Sequence, residues 1–185
     1  MSDYRRYFVP GGMYFFTVVA YDRRPILTTP AGRKFLRSAV GKITQDRVFQ
    51  IFATVLLPDH WHLVMQLPPN DADYSFRLKR IKEEFTRLWL EAGLHEAPVT
   101  VSQQSKGERG IWQPRFWEHT IQDETDLERC VDYIHWNPRK HQLVERVRDY
   151  PWSSFHRFVR AGQYDIDWGG SEPKSMVRYE AWGEP

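Results

Sequence analysis

The chain has 185 residues and a single cysteine, Cys130. One thiol excludes an internal disulfide framework and a zinc site built from cysteines, and it fits a reducing compartment. Long hydrophobic runs are missing as well: the longest, near Tyr14 to Tyr21, falls far short of the ~20 residues that span a bilayer. The start, MSDYRRYFVPGG, is charged and broken by Pro10, Gly11 and Gly12, so it lacks the apolar core of a signal peptide. These absences lead to the expectation of a soluble, cytoplasmic protein. Net charge is nearly absent too: 26 Lys and Arg against 24 Asp and Glu leave +2, which by itself does not suggest a nucleic-acid partner. No repeat is visible. With 41% hydrophobic and 27% charged residues, collagen-like, low-complexity and wholly disordered chains are excluded, and one full core is expected.

What is abundant is aromatic: eight Trp, nine Tyr and eleven Phe, or 15%. Many rings must fill the core, and a surplus is available for stacking on a ligand. The small net charge also hides an asymmetry. Residues 1–50 carry nine Lys or Arg against three acids, and the remainder is slightly acidic. That quarter reads either as a solvated basic surface or as a binding field.

The order of elements follows from local pattern. MYFFTVVAYD reads as a first strand. Thr29 and Pro30 are the N-cap and first residue of a helix with Phe35, Leu36, Ala39, Val40 and Ile43 as its apolar stripe. VFQIFATVLL and HWHLVMQLP form an antiparallel pair around the break at Pro58 and Asp59. A second helix follows, with a core stripe of Phe76, Ile81, Phe85, Leu88 and Trp89, ended by Gly93. Residues 94–110 lack a period and read as a mobile loop. RFWEHTIQ is a fourth strand, and DETDLERCVDYIHWNP a third helix, capped by Asp123 or Thr125 and limited by Pro138. The resulting class is α+β: a ferredoxin-like β-α-β-β-α-β antiparallel sheet with an additional C-terminal helix near the active surface.

Chemistry concentrates in the third strand and third helix. Alternation places Trp61, Leu63, Met65 and Leu67 on one face and His60 and His62 on the other, with Cα atoms about 7 Å apart. Two imidazoles so placed suit a shared divalent ion, though the spacing also fits polar, hydrogen-bonded filler. The metal reading requires a third ligand. On the helix, Leu127, Cys130, Val131 and Ile134 form the buried stripe, and Tyr133 and Asn137 are neighbours on its border. A phenol beside a carboxamide is suited to attack on a phosphodiester: Tyr133 as nucleophile, Asn137 as the third metal ligand. The alternative is a core-edge tyrosine and a helix C-cap before Pro138.

The strings SDYRRYF with GGMYFFTV, LPDHWHLVMQLP, IWQPRFWEHTI, VDYIHWNPRKHQLV and PWSSFHRFVRAGQYDIDWG resemble the REP-associated tyrosine transposases, domesticated relatives of the single-strand transposases of the HUH superfamily. The resemblance covers roughly residues 2–169, with five motifs in order. It implies one catalytic domain over 1–169, with the added helix catalytic, and leaves 170–185 as an unmatched tail. His60, Trp61 and His62 match the metal motif, although Trp61 is large for its centre. Tyr133 matches the catalytic tyrosine, and Asn137 the polar ligand one turn beyond it.

The resemblance implies a bacterial, cytoplasmic enzyme that uses Mg²⁺ or Mn²⁺. Its substrates are extragenic palindromes that fold into hairpins with a short tetranucleotide at the foot, and it passes through a 5′-phosphotyrosine. Stem phosphates require counter-charge, for which Arg5, Arg6, Arg23, Arg24, Arg33, Lys34 and Arg37 are candidates. Single-stranded feet are read by stacking and base-edge hydrogen bonds, which suits Tyr4, Arg5, Arg6, Trp112, Gln113, Arg115 and Trp117. For each aromatic a core role is an equal alternative, and Phe116 or Trp117 must face inward. Arg77, Lys79, Arg80 and Lys82 form a weaker basic group. Two other function classes stand beside this one: a catalytically quiet hairpin-DNA-binding regulator or genome-architecture protein, and a metal hydrolase that does not use Tyr133. A monomer with its site assembled in cis is expected, a dimer being the alternative.

Overall fold

The structure, a computed structural model, describes residues 8–173. The chain begins with β1 (Met13–Val19) and α1 (Pro30–Asp46), then the hairpin β2 (Gln50–Leu56) and β3 (His60–Gln66). It continues through α2 (Tyr74–Glu91), the short α3 (Val101–Ser105), β4 (Trp117–Thr120), α4 (Glu124–Lys140) and α5 (Phe155–Arg160). The four strands form one antiparallel sheet in the order β2-β3-β1-β4, the ferredoxin-like arrangement expected from the pattern. Among the described residues no helix is long and apolar enough to cross a membrane.

Helix starts follow their local signals. The Thr29 side chain accepts from the Gly32 amide and Pro30 opens α1, while Asp123 accepts from the Asp126 amide at the start of α4. At the other end α4 runs through Pro138 to Lys140 instead of stopping before it. The proline sits in the last turn, where its fixed φ suits a helix and its missing N–H removes a single intrahelical bond. Asn137 is therefore inside the helix and His141 is the C-cap.

The sheet separates two cores. On one face β1 and β3 send Tyr14, Phe16, Val18, Trp61, Leu63 and Met65 against α1 and α2; on the other, Phe15, Val55 and Val64 meet Cys130, Val131, Tyr133 and Ile134 of α4. The α2 stripe differs from expectation. Phe76 is 39% exposed, and the buried positions are Tyr74, Arg77, Leu78, Ile81, Phe85 and Trp89. Helical periodicity identifies a face only to within a residue or so, and packing on α1 selects Leu78. Arg77, placed in the weaker basic group, is unavailable to a ligand: it is buried, with its guanidinium on the Asp71 carboxylate (2.7 and 3.1 Å) and on the carbonyls of Val48 and Asp73. Residues 94–110 hold α3, started by a capping box of Thr100 and Gln103, and are closed by an Ala97–Gly110 bridge.

Candidate active site

The alternation of β3 is realised. His60 and His62 point toward α4, fully buried, with ring centroids 4.7 Å apart and planes at 81°. Each ring is oriented from behind. His60 Nδ1 lies 2.7 Å from the Asp59 carboxylate, and His62 Nδ1 lies 2.9 Å from the hydroxyl of Thr17, its cross-strand partner on β1. Burial raises the Asp59 pKa, but the hydrogen bond and charge of His60, with Arg23 at 3.1 Å, outweigh it and hold the carboxyl down to about 2. In the neutral form of His60, an ionised Asp59 accepts its Nδ1–H and favours the tautomer whose Nε2 lone pair faces away. That Nε2 is buried with no hydrogen-bond partner.

Helix α4 supplies the rest. Tyr133 is 6% exposed, its ring edge-on to His62 at 5.2 Å and to Phe15 at 5.7 Å. Lys140 Nζ stands 5.0 Å from its ring centroid. One turn beyond Tyr133, Asn137 is completely buried, and neither its Oδ1 nor its Nδ2 has a hydrogen-bond partner. Both residues were expected on the border of the buried stripe; instead they lie inside. The opposite side of α4 is covered by a later segment, where His135 Nε2 meets Ser154 Oγ at 2.9 Å and Tyr164 donates to Asp132 at 2.5 Å. A helix covered on both sides has no solvent border at these positions.

A buried carboxamide and a buried imidazole nitrogen without partners are costly unless something binds them. Two imidazoles and one carbonyl oxygen match the nitrogen and oxygen donors that Mn²⁺ accepts, and Mg²⁺ is compatible with the same cradle. The residues present therefore fit a divalent ion. Sequence reading missed two neighbours, Lys140 and His141, the latter with its ring 5.1 Å from His60. The signal was present: His141 is four residues beyond Asn137, on the same helical face.

The candidate DNA contacts divide. Tyr4, Arg5 and Arg6 lie outside the described residues. Arg23 reaches Asp59 behind His60, and Arg24 donates to the carbonyls of Gly110 and His95, holding the 94–110 stretch. Trp112 is 5% exposed with its ring 4.9 Å from Phe85, which favours the core alternative, although its edge lines a surface groove with Lys82, Gln113 and Pro114. Its segment bridges Ala20 and turns the indole inward. Gln113 is half-buried and Arg115 exposed. Phe116 and Trp117 are both half-buried on opposite faces, Phe116 on Phe16 and Trp117 on Phe15. Lys82 spends its ammonium on the carbonyls of Gln113 and Pro114, and Lys79 and Arg80 pair with Glu83.

Comparison with known proteins identifies the family. The family described as "Transposase IS200 like" matches residues 9–137, a span that holds His60, His62, Tyr133 and Asn137. A protein of Haemophilus influenzae is 46% identical over 171 residues, covering 92% of this chain and 95% of its own length. The REP-associated tyrosine transposase of Escherichia coli is 44% identical over 170 residues, covering 92% of each. A solved structure, that of a REP-associated tyrosine transposase bound to a REP hairpin, is similar with a TM-score of 0.75 and 42% identity over 94% of both chains. The chain belongs to the REP-associated tyrosine transposases, enzymes of the IS200-like transposase family.

Proposed function

We propose that the protein is a metal-dependent, strand-specific single-stranded DNA endonuclease and strand transferase. Its substrate is a hairpin formed by an extragenic palindromic repeat, a reading supported by the similar transposase solved on a REP hairpin. The observation that carries the mechanism is the contact of the Tyr133 ring with His62, one turn from the buried, unpartnered Asn137.

His60, His62 and Asn137 would hold Mg²⁺ or Mn²⁺, which when bound neutralises the scissile phosphate and polarises it toward in-line attack. Asp59 and Thr17 keep both rings in register for that role. Phe15, His62 and Lys140 hold the Tyr133 ring on three sides, so little rotational freedom is lost in reaching the phosphate. The phenolic oxygen forms a bond to phosphorus and passes its proton to water. The bond from phosphorus to the 3′ oxygen breaks, and that oxygen takes up a proton to become a 3′-OH. The product is a 5′-phosphotyrosine, whose energy is close to that of the bond broken. Attack by another 3′-OH rejoins DNA without ATP. All four side chains come from one chain, and its own 154–164 segment covers α4, which supports a monomer acting in cis. Arg23, beside Asp59, and Trp117, packed on Phe15, are the candidate DNA contacts on this face, and the exposed Arg115 just before β4 is a further one.

The test is a labelled hairpin oligonucleotide carrying a single-stranded foot, incubated with the protein and Mn²⁺ and run on a denaturing gel. The wild type yields a covalent adduct, and Tyr133→Phe lowers its rate by at least about 10³-fold. An adduct that survives this substitution overturns the nucleophile. Tight hairpin binding without cleavage in any divalent ion overturns the enzymatic reading.

A further inference from the structure

A second group of potential metal ligands lies on the same side of the sheet, apart from His60, His62 and Asn137. His119 projects from β4 toward α4, and Asp126 and Cys130 sit one turn apart on α4. One ligand atom from each, an imidazole nitrogen, a carboxylate oxygen and the thiol sulfur, lie within 4.8 Å of one another. His119 Nε2 is 2.7 Å from Asp126 Oδ2. Cys130 is completely buried, while the His119 and Asp126 side chains keep 19% and 14% of their surface.

We propose that His119, Asp126 and Cys130 form a binding site for a zinc-class divalent cation, with water as the fourth ligand. Around tetrahedral Zn²⁺, sulfur sits at about 2.3 Å and nitrogen or oxygen at about 2.0–2.2 Å, so donor atoms lie roughly 3.2–3.8 Å from each other. Rotamer adjustments of a few tenths of an ångström to about 1 Å convert the observed cluster into that geometry. Asp126 is already positioned: its carboxylate accepts the Gln122 amide at 3.0 Å, and its own amide donates to Asp123 at 2.8 Å. The His119 ring lies nearly parallel to that of Trp117, 13° between planes. The exposed parts of His119 and Asp126 are the side from which the ion and its water would enter.

Ligand type separates the two sites. A thiolate is a soft donor that Mg²⁺ and Mn²⁺ take poorly and Zn²⁺ or Co²⁺ takes well, whereas the two-histidine cradle with a carboxamide suits the harder ions. A lone cysteine excludes a zinc site made of cysteines but not one completed by His and Asp. Binding releases the thiol proton to solvent. It also fastens edge strand β4 to α4, three residues before Tyr133. The consequence for catalysis rests on the nucleophile reading above; the metal site itself does not.

Titration of the intact protein with Co²⁺, followed by thiolate-to-cobalt charge-transfer absorption, tests the site independently of activity. The band saturates at one equivalent, persists in His60→Ala and His62→Ala, and disappears in Cys130→Ser. Because Cys130 is in the core, His119→Ala and Asp126→Asn provide a second route: each keeps a native circular dichroism spectrum and weakens Co²⁺ binding at least about tenfold. No thiolate band in the wild type, a band that survives Cys130→Ser, or Co²⁺ affinity unchanged in both His119→Ala and Asp126→Asn overturns the proposal.

Discussion

On the face of the sheet that meets α1 and α2, the strands present Tyr14, Phe16, Val18, Trp61, Leu63 and Met65, all in apolar or aromatic contact. On the face that meets α4, the same strands present Thr17, His60 and His62, and the helix adds Tyr133 and Asn137, all buried. The alternation of β3 alone makes the division, since Trp61 and Leu63 go one way and His60 and His62 the other. Burial is equally deep on both faces, so depth does not distinguish structure from chemistry. What does is the kind of polar atom left without a partner. On the α1/α2 face these include Arg77 Nε, whose guanidinium otherwise sits on the Asp71 carboxylate, and Trp112 Nε1, both N–H donors; on the α4 face they include His60 Nε2 and Asn137 Oδ1, atoms able to ligate an ion. One face is built for packing, and the other carries the donor atoms on which the proposed ion and phosphate chemistry rests.

Substitution on each face sharpens the contrast. Leu63→Ala, at a fully buried site of the apolar face, is expected to cost about 2–5 kcal/mol in urea unfolding and leave Mn²⁺ affinity unchanged. Asp59→Asn acts on the other face without touching the proposed ion: loss of the carboxylate behind His60 weakens Mn²⁺ binding about 10–100-fold by isothermal titration. Asn137→Leu reverses the usual sign. Exchanging an unsatisfied buried carboxamide for a side chain of similar size raises the stability of the metal-free protein by about 1–2 kcal/mol while removing Mn²⁺ affinity. Destabilisation by this substitution would break the comparison.

The smallest effect concerns how the later segment is tied to β2. Tyr150 donates to the Leu56 carbonyl at 2.7 Å; burial, with a lesser contribution from the Asp59 charge, pushes its phenol up to about 12. Its folded pKa lies above the ordinary value near 10. The unfolded chain therefore loses this proton first, and stability is full below pH 10 and falls as pH rises toward 12. The difference between wild type and Tyr150→Phe across that window is expected to be on the order of 1 kcal/mol. A constant difference from pH 8 to 12 would contradict the assignment.

Much of this organisation is local and was legible in the chain. The Thr29 and Asp123 caps and the alternation of HWHLVMQ each depend on residues a few positions apart. The Thr100–Gln103 capping box was equally local, in a stretch read as a mobile loop. Other features depend on distant partners. Tyr133 is interior because its ring packs on Phe15 and His62 of the sheet, while a segment 19 to 32 residues away covers the other side of α4 through His135 with Ser154 and Asp132 with Tyr164. The inward turn of Trp112 and the burial of Arg77 on Asp71 are likewise tertiary outcomes that amino-acid type does not encode. The two-histidine pattern and the Tyr-Asn spacing could be read from sequence, but not the absence of partners at Asn137.

The central claim is that Tyr133, set beside His62 on the polar face, becomes covalently joined to DNA. The most direct measurement is to trap the hairpin adduct, digest it with trypsin and nuclease, and locate the residual nucleotide by mass spectrometry. The account predicts a 5′-phosphonucleotide on Tyr133, within the peptide spanning 130–139. A nucleotide on any other residue, or cleaved DNA with no peptide attached, would contradict it.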